Sequence, residues 1–89
     1  MIEHSAPVVN PLGLHARAAA RFVHVAGRFT CKIRVGRGTR MVDGKSILGL
    51  LLLAAARGTT LIINADGPDE VQAIEALAAL TARGFEDPA

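Results

Sequence analysis

The chain has no tryptophan and no tyrosine, and its only aromatic residues are Phe22, Phe29 and Phe85. Broad stacking platforms for nucleic-acid bases are therefore missing. Cysteine is scarce too: Cys31 stands alone, which excludes an internal disulfide framework and a cysteine-based metal site. No two candidate ligands have a metal-ligand spacing. The default setting for such a chain is reducing and cytoplasmic. Long apolar runs are lacking as well. The longest, from Ile47 to Ala56, contains Gly49 and is about half of what a bilayer span needs. The N-terminal Met1-Ile2-Glu3-His4-Ser5 has neither the basic nor the apolar region of a secretion signal. Net charge is only +2, too small to imply nucleic acid by itself.

What is present is a short, aliphatic chain. Its 89 residues are read as a single domain spanning 1–89. A domain this size buries about 60–65% of its unfolded surface. That leaves no room for a deep enclosed cleft, and a surface site serving another macromolecule fits better than an enzyme that engulfs its substrate.

Patterning gives the elements. Ala6 to Asn10 reads as a short strand, with Pro7 restricted to an edge or a start, and Pro11-Leu12-Gly13 breaks it. From Ala16 to Ala26, the positions Ala19, Phe22, Val23 and Ala26 recur at helical spacing, and Gly27 supplies a stop. Cys31, Ile33 and Val35 then alternate with Thr30, Lys32 and Arg34. Gly36-Arg37-Gly38 predicts a hairpin turn into Thr39 to Val42. Ser46 stands where a helix N-cap belongs, before a helix expected from Ile47 to Arg57. Thr59 to Ala65 is a fourth strand. Gly67 and Pro68 would open a third helix whose inward stripe is Val71, Ile74, Leu77, Ala78 and Thr81, with Gly84 at its end. The order βαββαβα predicts an α+β fold with helices on one face of an antiparallel sheet.

Chemistry concentrates at Gly13-Leu14-His15-Ala16-Arg17. His15 falls at the N-cap of the first helix, where backbone N–H groups lack intrahelical partners. Those donors and the positive helix end suit a phosphoryl group, and they favour a neutral, nucleophilic imidazole. Arg17 can fold back and offer its fork to phosphate oxygens. The plain alternative is a tolerable cap followed by a solvated charge. Arg17, Arg21, His24 and Arg28 recur along one side of the helix, a basic stripe suited to guiding an acidic partner surface. Charged stripes are also commonly just solvated. In the second helix, Ile47, Leu50, Leu53 and Ala54 suffice for the core, yet Leu48, Leu51 and Leu52 are apolar too. This predicts an exposed patch around Leu48 and Leu51 for docking a protein, with burial in a homodimer as the lesser alternative. Ser46 is explained by capping alone, but a phosphate there would set negative charge beside the patch. His4 reads as part of a frayed terminus, and Cys31 as strand packing.

Two stretches carry a resemblance. Gly13-Leu14-His15-Ala16-Arg17-Ala18-Ala19-Ala20 resembles the active-site signature of the HPr family, the histidine-containing phosphocarriers of the bacterial phosphotransferase system. Val42-Asp43-Gly44-Lys45-Ser46-Ile47-Leu48-Gly49-Leu50 resembles that family's regulatory-serine motif, and the likeness runs on through Ala54-Ala55-Ala56-Arg57-Gly58-Thr59. The resemblance covers nearly the whole chain in order. It implies an open-faced β-sandwich, four antiparallel strands covered by three helices. It implies a stoichiometric carrier rather than an enzyme, phosphorylated on Nδ1 of His15 by phospho-enzyme I and donating to a histidine of an enzyme IIA domain; a monomer is the expectation from the chain itself. Arg17 matches the phosphate-assisting arginine. Ser46 matches the serine that a dedicated HPr kinase/phosphorylase modifies, and Ile47, Leu48 and Leu51 match partner-docking positions. No cofactor or metal is called for. Ala18 stands where the family commonly has proline, and alanine serves the first helical turn as well. Pro7 is also atypical. Two rival readings are a regulatory interaction protein acting through phosphorylated Ser46 and a basic nucleic-acid domain. The resemblance does not distinguish sugar uptake from a nitrogen-linked branch.

Overall fold

Alternating side chains build the sheet. Along β2 (Lys32–Arg37), Ile33 and Val35 are buried while Lys32 and Arg34 face solvent. Along β4 (Thr60–Asp66), Leu61, Ile63 and Ala65 are buried on the same face. In this computed structural model, which describes residues 1–86, β1 (Ile2–Pro7) and β3 (Arg40–Asp43) complete an antiparallel sheet of order β1-β4-β2-β3. The register runs from Ile2 opposite Ala65 to Pro7 opposite Thr60, and from Lys32 opposite Asp66 to Gly36 opposite Ile62. β2 and β3 pair from Arg34 opposite Asp43 to Arg37 opposite Arg40, a tight turn through Gly38 at φ +62° and Thr39.

Three helices cover one face: α1 (Ala16–Ala26), α2 (Ile47–Leu52) and α3 (Glu70–Ala82). α1 lies between the other two in contact with both. Ala18, Ala19, Phe22 and Ala26 of α1, Leu50 and Leu53 of the α2 region, and Ala73, Leu77 and Leu80 of α3 meet the sheet in one core. Burial of a side chain such as Phe22 or Leu77 stabilises by roughly 1.5–3 kcal/mol. The reverse face, with Glu3, Ser5, Lys32 and Arg34, is open. The expected βαββαβα open-faced sandwich is thus the fold.

Several boundaries differ from the sequence reading, each for a local reason. β1 spans Ile2–Pro7 rather than Ala6 to Asn10, because its first residues pair with the far end of β4. His4 accordingly sits in an edge strand opposite Ile63 and is not frayed. Pro7 ends that edge strand, where a missing N–H is tolerated. α2 stops at Leu52 instead of Arg57, although alanines follow. The carbonyls of Leu52 and Leu53 accept bonds from Arg40 (2.9 Å) and Arg37 (3.0 Å), and Ala54 turns to φ +51°. Tertiary partners there override helix propensity. Gly27 ends α1 with an ordinary φ of −65°.

α3 begins at Glu70, with Asp69 at the N-cap position. The Asp69 carboxylate bonds elsewhere, accepting from the amides of Thr30 (2.8 Å) and Cys31 (2.9 Å). Thr30's amide above all holds this carboxyl below the usual aspartate range. Burial, aided by Asp69, pushes the Cys31 thiol up. The buried stripe of α3 is Ala73, Leu77, Leu80 and Thr81, and the expected Val71 is 52% exposed. The helix has turned relative to the stripe read from sequence, so that small Ala73 faces the core.

Candidate functional site

The first strand leaves the sheet by a second, irregular pairing. Val8 donates to Thr59 O and Gly58 to Val8 O, both at 2.8 Å, and Leu14 donates to Ala55 O at 2.8 Å. Segment 8–14 is thereby fastened along segment 55–59. Gly13 is required where they touch: its φ is +66°, and a Cβ there would stand 2.5 Å from the Ala55 carbonyl oxygen. This fastening delivers His15 to the start of α1.

His15 is the N-cap, with extended backbone at φ −87° and ψ −179°. Its carbonyl accepts from Ala19 N at 2.8 Å, and its Nδ1 accepts from Ala18 N at 3.3 Å. An accepting Nδ1 carries a lone pair, so the neutral ring holds its proton on Nε2. The cap bond is long for its type. The ring is half-buried, while Ala16 and Arg17 are exposed.

A shallow concavity of about 270 Å³ brings His15, Arg17 and Arg21 together with Leu12 and Glu86. A neighbouring groove of about 440 Å³ collects Arg17, Arg21, His24 and Arg28, so the basic stripe does share one surface. Arg83 of α3 joins that groove. Nothing in the sequence signalled it, since only packing of α1 on α3 sets it there. Arg21 also donates to Phe85 O at 3.0 Å, tying α1 to the turn after α3.

Ser46 caps α2 as expected, its hydroxyl accepting from Gly49 N at 3.0 Å. Lys45 braces the approach by donating to Phe29 O at 2.7 Å. On α2, Leu48 is 68% exposed, Leu52 57% and Ile47 42%. Leu51 is half-buried against the core, so the apolar patch centres on Ile47, Leu48 and Leu52 rather than on Leu48 and Leu51. Ile47 and Ala54 were expected in the core and face outward instead: Ile47 lies in the exposed first turn of the helix, and Ala54 falls beyond its end at φ +51°. Among the described residues, no group of His, Cys, Asp or Glu could hold a metal ion, and no helix is long and apolar enough to cross a membrane.

An open-faced sandwich presenting a capping histidine, a neighbouring arginine and a basic groove defines a small carrier-type protein with a surface site. The family described as PTS HPr component phosphorylation site matches residues 2–83. The phosphocarrier protein HPr of Cupriavidus necator is 45% identical over 85 residues, covering 96% of each chain. That of Pseudomonas aeruginosa is 49% identical over 81 residues, covering 90% of each. The crystal structure of HPr-C-His from Thermoanaerobacter tengcongensis superposes over 100% of both chains with a TM-score of 0.93 and 37% identity. The chain belongs to the HPr family of phosphocarriers of the phosphotransferase system.

Proposed function

We propose that His15 takes a phosphoryl group from phospho-enzyme I through Nδ1 and passes it to a histidine of an enzyme IIA domain, in a cytoplasmic setting. The observation that carries this reading is the Nδ1 lone pair held at the N-terminus of α1, with Arg17 in the same concavity. In the step, the Nδ1 lone pair forms a new N–P bond as the donor's bond to phosphorus breaks. The released electron pair stays with the donor's leaving atom, and the His15 ring, its proton still on Nε2, carries the positive charge gained. The Ala18 amide then loses Nδ1 as its acceptor and gains a phosphoryl oxygen. That exchanges a long neutral bond for a charge-assisted one, backed by the helix dipole. Arg17 closes on the remaining oxygens with its two-pronged guanidinium. Donation to enzyme IIA reverses the sequence.

The groove of Arg21 and His24 and the patch of Ile47, Leu48 and Leu51 with Leu52 serve as docking surfaces on either side of α1, for an acidic rim and an apolar centre respectively. Phosphorylation of Ser46 by an HPr kinase would leave the Gly49 amide an acceptor at the helix end and set charge beside Ile47 and Leu48. It would thus weaken docking while the core stays intact. The carrier reading is tested by intact mass after mixing the chain with phosphoenolpyruvate and purified enzyme I, with His15→Ala beside it. One acid-labile phosphoryl group, absent from the variant, supports it. No gain with several active enzyme I preparations sinks it and leaves regulation through Ser46 as the leading account.

A further inference from the structure

We propose that Asn10 is a positioning residue for His15, setting the ring through the Gly13 carbonyl. The proposal rests on the phosphocarrier reading above and deepens it. Asn10 closes the turn before the histidine twice: its carbonyl accepts from Gly13 N at 3.1 Å, and its Nδ2 donates to Gly13 O at 2.7 Å. The same Gly13 oxygen accepts from His15 N at 2.9 Å. One carbonyl is therefore clamped between the Asn10 side chain and the backbone of the reacting residue.

The other arm of the amide makes the choice of residue pointed. Asn10 Oδ1 is buried and has no hydrogen-bond partner among the described residues. A buried acceptor without a partner is a cost, and the bonded Nδ2 arm offsets part of it. Backbone closure of the turn needs only the Asn10 carbonyl. The Nδ2 arm adds the fixed orientation of the Gly13–Leu14 peptide. That orientation aims Leu14 N at Ala55 O and brings His15 N round to Gly13 O. With both ends fixed, Nδ1 arrives over the Ala18 amide.

Asn10 is itself held from behind. The turn after α3 packs closely against it: a Cβ added at Gly84 would lie 3.1 Å from the Asn10 Cβ. Asn10 also lines the concavity that contains His15 and Arg17, but it acts through Gly13 and not on the phosphoryl group.

The test uses the full chain with Asn10→Ala and Asn10→Asp, the latter keeping the shape but replacing the Nδ2 donor by an acceptor. Three quantities are read: the rate of phosphoryl acceptance from phospho-enzyme I over a range of carrier concentrations, the NMR shifts of the Ala18 amide and of His15 Nδ1, and the folded fraction in the same samples. Both variants should lower acceptance per folded molecule at saturation by about tenfold to a hundredfold with KM little changed. The Ala18 and Nδ1 signals should move together. A merely structural Asn10 would lower the folded fraction and leave both signals and the normalised rate within about twofold of the parent chain, which overturns the proposal. Should Asn10→Ala not fold, the aspartate variant decides. If the parent chain accepted no phosphoryl group at all, the carrier reading would fall, while the two NMR signals would still decide whether Asn10 sets the ring.

Discussion

α1 and α2 begin in the same way and for different ends. Each has an N-cap side chain that accepts from the amide three residues on: His15 Nδ1 from Ala18 at 3.3 Å, and Ser46 Oγ from Gly49 at 3.0 Å. Serine is among the best caps, and histidine is not among the preferred ones. The short α2 has a strong cap and no cation in its first turn, only Ile47 and Leu48. The longer α1 has a weak, stretched cap and Arg17 in its first turn. A helix of 11 residues packed through Ala18, Ala19, Phe22 and Ala26 does not depend on its cap. Its cap position therefore tolerates a weak cap such as histidine. The six-residue α2 has no such freedom. α3 offers a third case, since Asp69 occupies the N-cap position yet spends its carboxylate on Thr30 and Cys31.

The comparison breaks most visibly at His15. His15→Ala should abolish phosphoryl acceptance in the mass assay while costing less than about 1 kcal/mol in urea unfolding, because little capping energy is lost. Substantial unfolding would mean that the ring is structural after all. Arg17→Ala should slow acceptance by about a hundredfold, the loss of one preorganised charge partner, with the folding midpoint unchanged. The two leucines of α2 sharpen the contrast next. Leu51→Ala should destabilise by roughly 1–2 kcal/mol as half-buried area is lost. Leu48→Ala should change stability by less than about 0.5 kcal/mol yet weaken enzyme I binding by titration. Ser46→Ala should cost ~1 kcal/mol and leave the rate at His15 alone, the reverse of the His15 result.

The smallest effect is on pH. Asp69 has a depressed folded-state carboxyl pKa, chiefly through the Thr30 amide. Its contribution is present above the ordinary aspartate range and is lost as pH falls through the depressed value. Asp69→Asn should therefore lower the urea midpoint at neutral pH, with the gap to the parent chain closing in acid.

Period-two alternation in β2 and helical spacing in α1 made those elements legible, and α1 starts and ends where its sequence says. The cap positions of His15 and Ser46 were legible because each is tied to a local signal, a glycine-led break or a cap before an apolar run. The end of α2 was not. Arg37 and Arg40 reach it from the β2–β3 hairpin, and helical periodicity does not reveal which side chains will find its last carbonyls. The phase of α3 was hidden for a similar reason, since whether Val71 or Ala73 faces the core is settled by how α3 packs on β1 and β4. Asn10 lies inside the region read as strand, and its value comes from a two-residue-wide clamp on Gly13 that composition does not reveal.

The turn after α3 ends on Phe85, fully buried at φ +64°, its amide bonded to Leu80 O at 2.9 Å and its carbonyl to Arg21. A bulky residue accepts that backbone only when the cavity behind it is worth filling. Phe85 therefore works as a stopper in the core. An exopeptidase could remove Phe85 only by uncorking the core.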